Sequence, residues 1–425
     1  ARMNWWLDRA GHILHHHNHN FTNRTQGEFM KILVINAGSS TLKFQLIDTV
    51  SEDTLASGAV ERIGFPESFA RFKSPKGKDQ KELPVPDHNV ATDIALKYLT
   101  DKKLGVVKSL DEIDAVGHRI VSAGPKYDHT VVVTDEVLAD FEKNLQYSPL
   151  HLPGHIKGIK ACMKAMPNTI QTTTFDTAFH STMPEKAYLY AIPYELYTDH
   201  QIRRYGFHGS SHQFIRDEVE RILGSVADKK IVSCHIGSGA SVCAIKNGKS
   251  VDTSMGYTPL EGVIMGTRSG DIDASILPQI AKIYNLKNID EVVDFLNKKC
   301  GLLGITGYTN DMRDIEANLD KHRENLAMDM TAYRIAKYVG AYSAAMGGID
   351  VLVFTAGAGE NTAEMRKRVC EYLEFLGVNM DYHKNEVMPR GTVEDISLPT
   401  SRVKIYRIPT NEELVIARET AKLAK

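Results

Sequence analysis

The run Asn36-Ala37-Gly38-Ser39-Ser40-Thr41-Leu42-Lys43 gathers the groups that could clasp a phosphate. Gly38 lets backbone N–H groups approach an anion, Ser39 and Thr41 offer hydroxyls, and Lys43 supplies positive charge. It sits between the apolar residues 32–35 and the strand-like residues 44–48, which reads as strand, turn, strand. No helix signal follows the turn, so neither a P-loop nor a dinucleotide-binding glycine loop fits. An ordinary hairpin turn is the alternative. A second apolar run, 231–236, meets Gly237-Ser238-Gly239-Ala240-Ser241, continues through 242–245 and turns at Asn247-Gly248, a type I′ pair. A third, 351–354, runs into Thr355-Ala356-Gly357-Ala358-Gly359-Glu360-Asn361, read as a glycine turn that opens a helix. Two clasps in separate halves plus this later turn imply two related lobes around one nucleotide; three chance turns are the competing explanation.

Other charged groups stand where chemistry could use them. Arg119 interrupts an apolar strand-like run, so it must be paired, exposed or facing a ligand. Arg268 lies between Gly266 and Gly270, where a ligand could approach and a guanidinium could grip carboxylate or phosphate. A structural ion pair is the bland alternative for each. Asp176 ends a predicted strand, a place where ligand groups collect, or caps a turn. The segment Arg203-Arg204-Tyr205-Gly206-Phe207-His208-Gly209-Ser210-Ser211-His212 is dense in donors, and it contains no carboxylate to complete a metal site. Anion stabilisation suits it better than metal binding.

These groups need a scaffold. With 425 residues the chain can build two domains, each with its own core. Its 42% hydrophobic and 24% charged residues are ordinary for a globular protein. A formal net charge of -2 gives no electrostatic reason to expect nucleic acid or an anionic membrane as partner. No apolar stretch reaches the roughly 18 residues that span a bilayer. Cys162, Cys234, Cys243, Cys300 and Cys370 are scattered and form no Cys-x-x-Cys motif, which predicts reduced thiols and no zinc. Residues 1–29, with His15-His16-His17-Asn18-His19, read as an expression tag without structure. Beyond it, strand-like runs (113–120, 170–175, 231–236, 351–354) alternate with helical ones (137–144, 217–223, 328–346, 363–376), predicting an α/β architecture. Asn310 is placed to cap a helix, and Thr410 with Glu413 has capping-box spacing before another.

Taken together, Asn36 to Lys43, Gly117-His118-Arg119, Phe175-Asp176-Thr177-Ala178-Phe179-His180, residues 203–212, Asp252-Thr253-Ser254-Met255-Gly256, residues 265–271 and Ile408-Pro409-Thr410-Asn411-Glu412-Glu413-Leu414 resemble the acetate kinase family. The resemblance runs from Met30 onward. It implies two duplicated actin-like (ribonuclease H-like) lobes, mixed sheets flanked by helices, with the nucleotide in the cleft. The lobes would be 30–178 plus 411–425, and 179–410. It implies phosphoryl transfer from ATP to acetate, giving acetyl phosphate and ADP, with Mg²⁺ or Mn²⁺, in a cytoplasmic homodimer. Asn36 and Glu412 would hold the metal; Arg119, Asp176, His208 and Arg268 would surround the reacting phosphoryl group. Val121, Leu150, Phe207 and Pro259 would line a pocket for the acetate methyl, beside His151. The nucleotide would meet Ser39, Thr41, Lys43, His235, Gly237, Ser238, Gly239, Asp311, Met312, Arg313, Gly357, Ala358, Gly359, Glu360 and Asn361.

The sequence departs from the family pattern at Ser122-Ala123, where His-Gly is common, at Leu152, where Asn is frequent, and at Ser238 and Ala358 on the nucleotide side. The nearest rival is a propionate or butyrate kinase, because one methylene in an apolar pocket separates substrates by only about 1–3 kcal/mol. A non-enzymatic ATP-switched module of the same fold is the rival from another class. A sugar kinase is further away, since it needs a base for a neutral hydroxyl.

Overall fold

The structure, a computed structural model, describes residues 29–425. The expected tag lies outside these residues except for Phe29. They separate into two compact units, one running to Ala178 and completed by Asn411–Lys425, the other Phe179–Thr410.

In the first unit the strands are β1 (Lys31–Ala37), β2 (Thr41–Asp48), β3 (Thr54–Glu61), β4 (Phe69–Ser74), β5 (Gly77–Glu82), β6 (Ala115–Ile120), β7 (Val131–Val132) and β8 (Ile170–Phe175). They form one sheet in the order β5-β4-β3-β2-β1-β6-β8-β7. The β1–β2–β3 pairings are antiparallel, whereas β1–β6 and β6–β8 are parallel. Strand β1 is buried at nearly every position, as its unbroken apolar run requires. Helices Leu152–Ala165 and Glu412–Leu423 both pack on β1 and β6. Strand β2 alternates instead, burying Leu42, Phe44 and Leu46 while the residues between them stay partly exposed.

The second unit has β9 (Lys230–Ile236), β10 (Ala240–Lys246), β11 (Lys249–Thr253), β12 (Val351–Thr355), β13 (Glu394–Asp395) and β14 (Lys404–Arg407), in the order β11-β10-β9-β12-β14-β13. Here too an antiparallel meander, β9–β10–β11, is followed by β12 and β14 in parallel. Strands β3-β2-β1-β6-β8 and β11-β10-β9-β12-β14 therefore share one topology: two actin-like, ribonuclease H-like sheets. Asn247 and Gly248, at φ 53° and 77°, make the tight β10–β11 turn with both residues left-handed, as their types predict.

Several boundaries differ from the sequence reading. The helix predicted over 217–223 begins at Gly209: Ser210, Ser211 and His212 are buried, and Ser211 and His212 are hydrogen-bonded rather than solvated. Residues 356–361 form a short helix, Ala356–Asn361, rather than a turn; the sharp corner is taken by Ala356 itself, at φ 65°. Asp311, not Asn310, caps helix Met312–Glu316 by accepting from the Arg313 N–H. Asn411 caps helix Glu412–Leu423 by accepting from the Leu414 N–H, one residue past the predicted Thr410. The Thr410 hydroxyl is instead bonded to Ser211 Oγ at 2.8 Å, so the Thr410–Glu413 capping box does not form.

Helix Glu412–Leu423 approaches β6 so closely that a Cβ on Gly117 would stand 2.3 Å from Thr420 Oγ1 and 2.8 Å from Ile416 Cγ2. Thr420 Oγ1 in turn meets Thr172 Oγ1 of β8 at 2.8 Å. Gly117→Val should therefore lower stability by about 2–3 kcal/mol through overpacking. Urea unfolding reads this as a reduced midpoint; an unchanged midpoint would show that the helix can move off the strand at little cost.

Candidate active site

In the first unit, the β1–β2 hairpin is the strand-turn-strand read from the sequence, and its turn is the candidate clasp. The register sets Asn36 opposite Lys43, so the two side chains share a face. The turn closes with the Gly38 N–H donating to the Thr41 carbonyl at 2.8 Å, and a Cβ on Gly38 would meet Thr41 Oγ1 at 2.8 Å. Two outside groups fix it. His88 Nε2 bonds the Gly38 carbonyl at 2.8 Å, and Gly154 lies so near that its Cβ would stand 2.5 Å from the Gly38 carbonyl carbon. Burial lowers the Lys43 pKa, with Glu61 pulling the other way.

Arg119, on β6, and Asp176, just past β8, form a two-pronged pair: Nε to Oδ1 at 2.9 Å and Nη2 to Oδ2 at 2.7 Å. Neighbouring parallel strands produce this, because Arg119 is opposite Thr174 in register. Burial weighs against the Arg119 charge, yet Asp176, Glu412 and Glu413 together hold its pKa above the ordinary arginine range. Asp176 occupies one edge of the guanidinium, while Nη1 has no partner among the described residues. That free edge could take a carboxylate or phosphate oxygen.

Glu412 opens its helix with Oε1 buried and without a hydrogen-bond partner. The Asn36 side chain also makes no hydrogen bond among the described residues. An orphaned carboxylate oxygen and an unengaged amide are oxygen donors of the kind a hard divalent cation takes, so these residues fit the Mg²⁺ that the resemblance implies. Val121 is buried, but Leu150 stands 70% exposed, and His151 is exposed at the start of helix Leu152–Ala165.

In the second unit, the turn between β9 and β10 is the other clasp. The Gly237 N–H donates to the Gly239 carbonyl at 3.1 Å, and the Gly266 N–H donates to the Ser238 carbonyl at 3.0 Å. The position a Gly239 Cβ would take lies 3.4 Å from His208 Nε2 and 3.6 Å from Arg268 Nη1. The absent side chain thus marks a point on which two cationic or donor groups converge. Arg268 has only the Pro259 carbonyl, at 3.1 Å, and the Met265 sulfur, at 3.7 Å, as partners, and no carboxylate among the described residues. Burial lowers its pKa. A partly buried guanidinium without an acid could take an anion from elsewhere.

His208 sits at φ 56° at the start of helix Gly209–Leu223, its ring stacked on His235 with centroids 4.1 Å apart. Phe207 is buried and its carbonyl bonds His180 Nε2 at 2.9 Å, while Pro259 is half-buried. Asp311 and Arg313 pair with each other, Nη2 to Oδ2 at 2.5 Å, with Met312 buried between them in sequence. Helix Ala356–Asn361 carries Gly357, Ala358 and Gly359. Its Glu360 is buried, and the carboxylate accepts from the Thr410 N–H at 3.2 Å, which ties it into the fold.

Sequence reasoning gave no separate role to Ser233 or Ser241. The signal was present as alternation: Ser241 pairs with His235 and Cys243 with Ser233 across the β9–β10 hairpin, so Ser233, His235 and Ser241 share one face. Helix Gly209–Leu223 packs on β9, and His208, Ser211 and His212 follow the i, i+3, i+4 spacing of one helix face.

A sequence profile described as the acetokinase family matches residues 31–418. The chain belongs to the acetokinase family. It is 50% identical over 402 residues to an acetate kinase of Clostridium beijerinckii, an alignment covering 93% of this chain and all of the relative. An acetate kinase crystal structure from Porphyromonas gingivalis superposes with a TM-score of 0.89 at 46% identity, covering 93% of this chain and 100% of that one. A propionate kinase from Francisella tularensis superposes with a TM-score of 0.85 at 38% identity, covering 92% and 99%.

In this acetokinase-family chain two buried histidines, His118 and His155, have lowered pKa values. Burial depresses His118 to about 4, although its Nε2 bonds Gln171 Oε1 at 2.7 Å. Burial, and then the Arg119 charge, depress His155 to about 3, and its Nε2 accepts from the Val121 N–H at 3.3 Å. Both folded values lie below the unfolded value of about 6.5, so below that pH the unfolded chain binds more protons. Stability should be level in these groups above about pH 6.5 and fall as pH drops toward 4, by up to about 1.4 kcal/mol per unit for each. Urea midpoints between pH 7.5 and 5 check this; His118→Gln should make the decline shallower, and an equal slope would contradict the assignment.

Proposed function

We propose that the protein is an acetate kinase, transferring the γ-phosphoryl group of ATP directly and reversibly to acetate to give acetyl phosphate and ADP. The observation that carries the phosphoryl chemistry is the convergence of His208 and Arg268 on the side-chain-free Gly239, with Arg268 partly buried and without an acid among the described residues. The acceptor follows from family membership and from the acetate kinase names of close relatives.

A carboxylate has a pKa of roughly 4 and is ionised at about pH 7. It therefore needs no general base, and no residue has to be poised as one. The barrier is repulsion between two anions as the in-line geometry is reached. The free Nη1 edge of Arg119 would orient one anion, and Asp176 keeps that guanidinium from rotating. His208 Nε2 and Arg268 Nη1 would take the charge that builds on the transferring group. Glu412 and Asn36 would hold Mg²⁺, which when bound neutralises phosphate charge. The Gly237–Gly239 turn, Asp311 to Arg313 and helix Ala356–Asn361 would receive the nucleotide; Glu360 would support that helix rather than touch the ligand. Val121, Phe207 and Pro259 would limit the acid's size, with Leu150 and His151 near them. The working form in this reading is a cytoplasmic homodimer. Among the described residues, no helix is long and apolar enough to cross a membrane.

The resemblance to a propionate kinase favours one second reading, the same mechanism on a longer acid. Hydroxylamine trapping of acyl phosphate with ATP, Mg²⁺ and acetate, propionate or butyrate separates the two. Acetate should give the highest kcat/KM. Best turnover of propionate would change the substrate and keep the mechanism, and no acyl phosphate from any acid would overturn the kinase reading.

Arg268→Ala should lower kcat well over roughly tenfold, because it removes a donor engaged in the transition state. Near-normal kcat would exclude Arg268 from that role. Glu412→Gln should raise the Mg²⁺ concentration needed for half-maximal rate and leave the urea midpoint nearly unchanged. An unshifted Mg²⁺ requirement would remove Glu412 from the metal.

A further inference from the structure

Behind His208 lies a line of buried hydrogen bonds. His208 Nδ1 is 2.8 Å from Ser241 Oγ, Ser241 Oγ is 2.8 Å from His212 Nε2, and His212 Nδ1 is 2.9 Å from Ser233 Oγ. Ser233, Ser241 and His212 are all fully buried at 0% exposure, so no solvent can complete their bonding. Ser233 ends the line: its hydroxyl has no other partner among the described residues.

The chain's direction follows from counting protons. A buried hydroxyl hydrogen left without an acceptor costs about 1–3 kcal/mol, so Ser233 donates to His212 Nδ1. Burial, reinforced by His180 and His235, holds the His212 pKa well below the ordinary histidine value, so the ring is neutral with one proton. With Nδ1 accepting, that proton is on Nε2 and is donated to Ser241 Oγ. Ser241 has a single hydroxyl hydrogen, which then points to His208 Nδ1. His208 accordingly accepts at Nδ1 and carries its proton on Nε2, the atom aimed at Gly239.

We propose that Ser233, His212 and Ser241 are positioning residues whose one-way hydrogen-bond chain fixes His208 as a neutral Nε2–H donor. The role of that donor rests on the phosphoryl-transfer reading above; the chain itself does not. Protonating His208 at Nδ1 would force Ser241 to accept, reverse both bonds of His212 and strand the Ser233 hydrogen. Titratable groups facing His208 include His235, stacked on it, His212 across Ser241 and Arg268 across Gly239, and none of these three is negative. A neutral donor keeps the same hydrogen bond at every pH above the point of chain reversal, whereas an imidazolium would lose its charge near neutrality.

The test is ¹⁵N NMR of the full chain labelled at histidine, with the His208 signals assigned by their loss in His208→Asn. Between pH 6 and 8, His208 should show a protonated Nε2 and an unprotonated Nδ1. An Nδ1–H tautomer or a doubly protonated ring in that range would overturn the proposal. Ser241→Ala should mix the tautomers and lower kcat at least roughly tenfold, as wrong-tautomer histidines do, with the KM for ATP within about twofold. Unchanged kcat in a folded Ser241→Ala protein would also overturn it. If that variant does not fold, Ser233→Ala gives the same readout, since it removes the group that sets the direction. A wild-type protein with the Nε2–H tautomer and no acyl phosphate product would sink the activity reading and leave the chain standing.

Discussion

A guanidinium taken out of water must be given an anion, and the two arginines of this protein meet that requirement differently. Arg119 is given Asp176 by the fold itself, through two parallel hydrogen bonds between neighbouring strands. Arg268 is given a carbonyl and a thioether, neither of which balances its charge. The first arrangement costs little and fixes geometry. The second leaves a charge unbalanced, and in the proposed reaction an incoming phosphate would relieve it, making binding and charge neutralisation one event. The local sequence leaves room beside Arg268: Gly239 has no side chain at the point that His208 Nε2 and Arg268 Nη1 both approach.

The parts of the site legible in the sequence were those written in strand-and-turn code. Both clasps were readable because apolar runs of strand length ended at Gly38 and Gly237, and Asn247-Gly248 announced the hairpin. Arg119 was conspicuous because a charge inside an apolar run demands an explanation. Local pattern failed where tertiary contacts overrode propensity. The helix start at Gly209 was not legible in the donor-dense segment, since the partners of Ser211 and His212 come from β9 and β10. Glu360 gave no sign of its hydrogen bond from the Thr410 N–H, which comes from a distant part of the second unit's sequence. Cap positions moved by a single residue at Asn310/Asp311 and Thr410/Asn411, since adjacent Asn, Asp and Thr are all competent caps and packing decides among them.

The orphaned Glu412 oxygen and the chain ending at Ser233 show the same accounting with opposite outcomes. Buried polar atoms without partners are rare, so each one carries information. At Glu412 the account stays open, and the proposed cation would close it. At Ser233 it closes in only one direction, and direction is passed along three hydrogen bonds to an atom at the clasp. Neither feature appears in a composition or a motif, because each is a property of what a group lacks.

Helix Glu412–Leu423 lies on β1, β6 and β8 although the entire second unit separates it from β8 along the chain. During synthesis, the strand face around Gly117 must therefore wait uncovered until residues 179–410 have been made. The second unit is continuous and can condense as soon as its own residues emerge, while the first unit, begun earlier, finishes later. The closing helix also delivers Glu412, so the carboxylate proposed for the metal arrives only when the last layer of the first unit locks down. A partly made chain consequently holds a clasp and an arginine pair but lacks that carboxylate, and maturation of the catalyst is tied to completion of the fold.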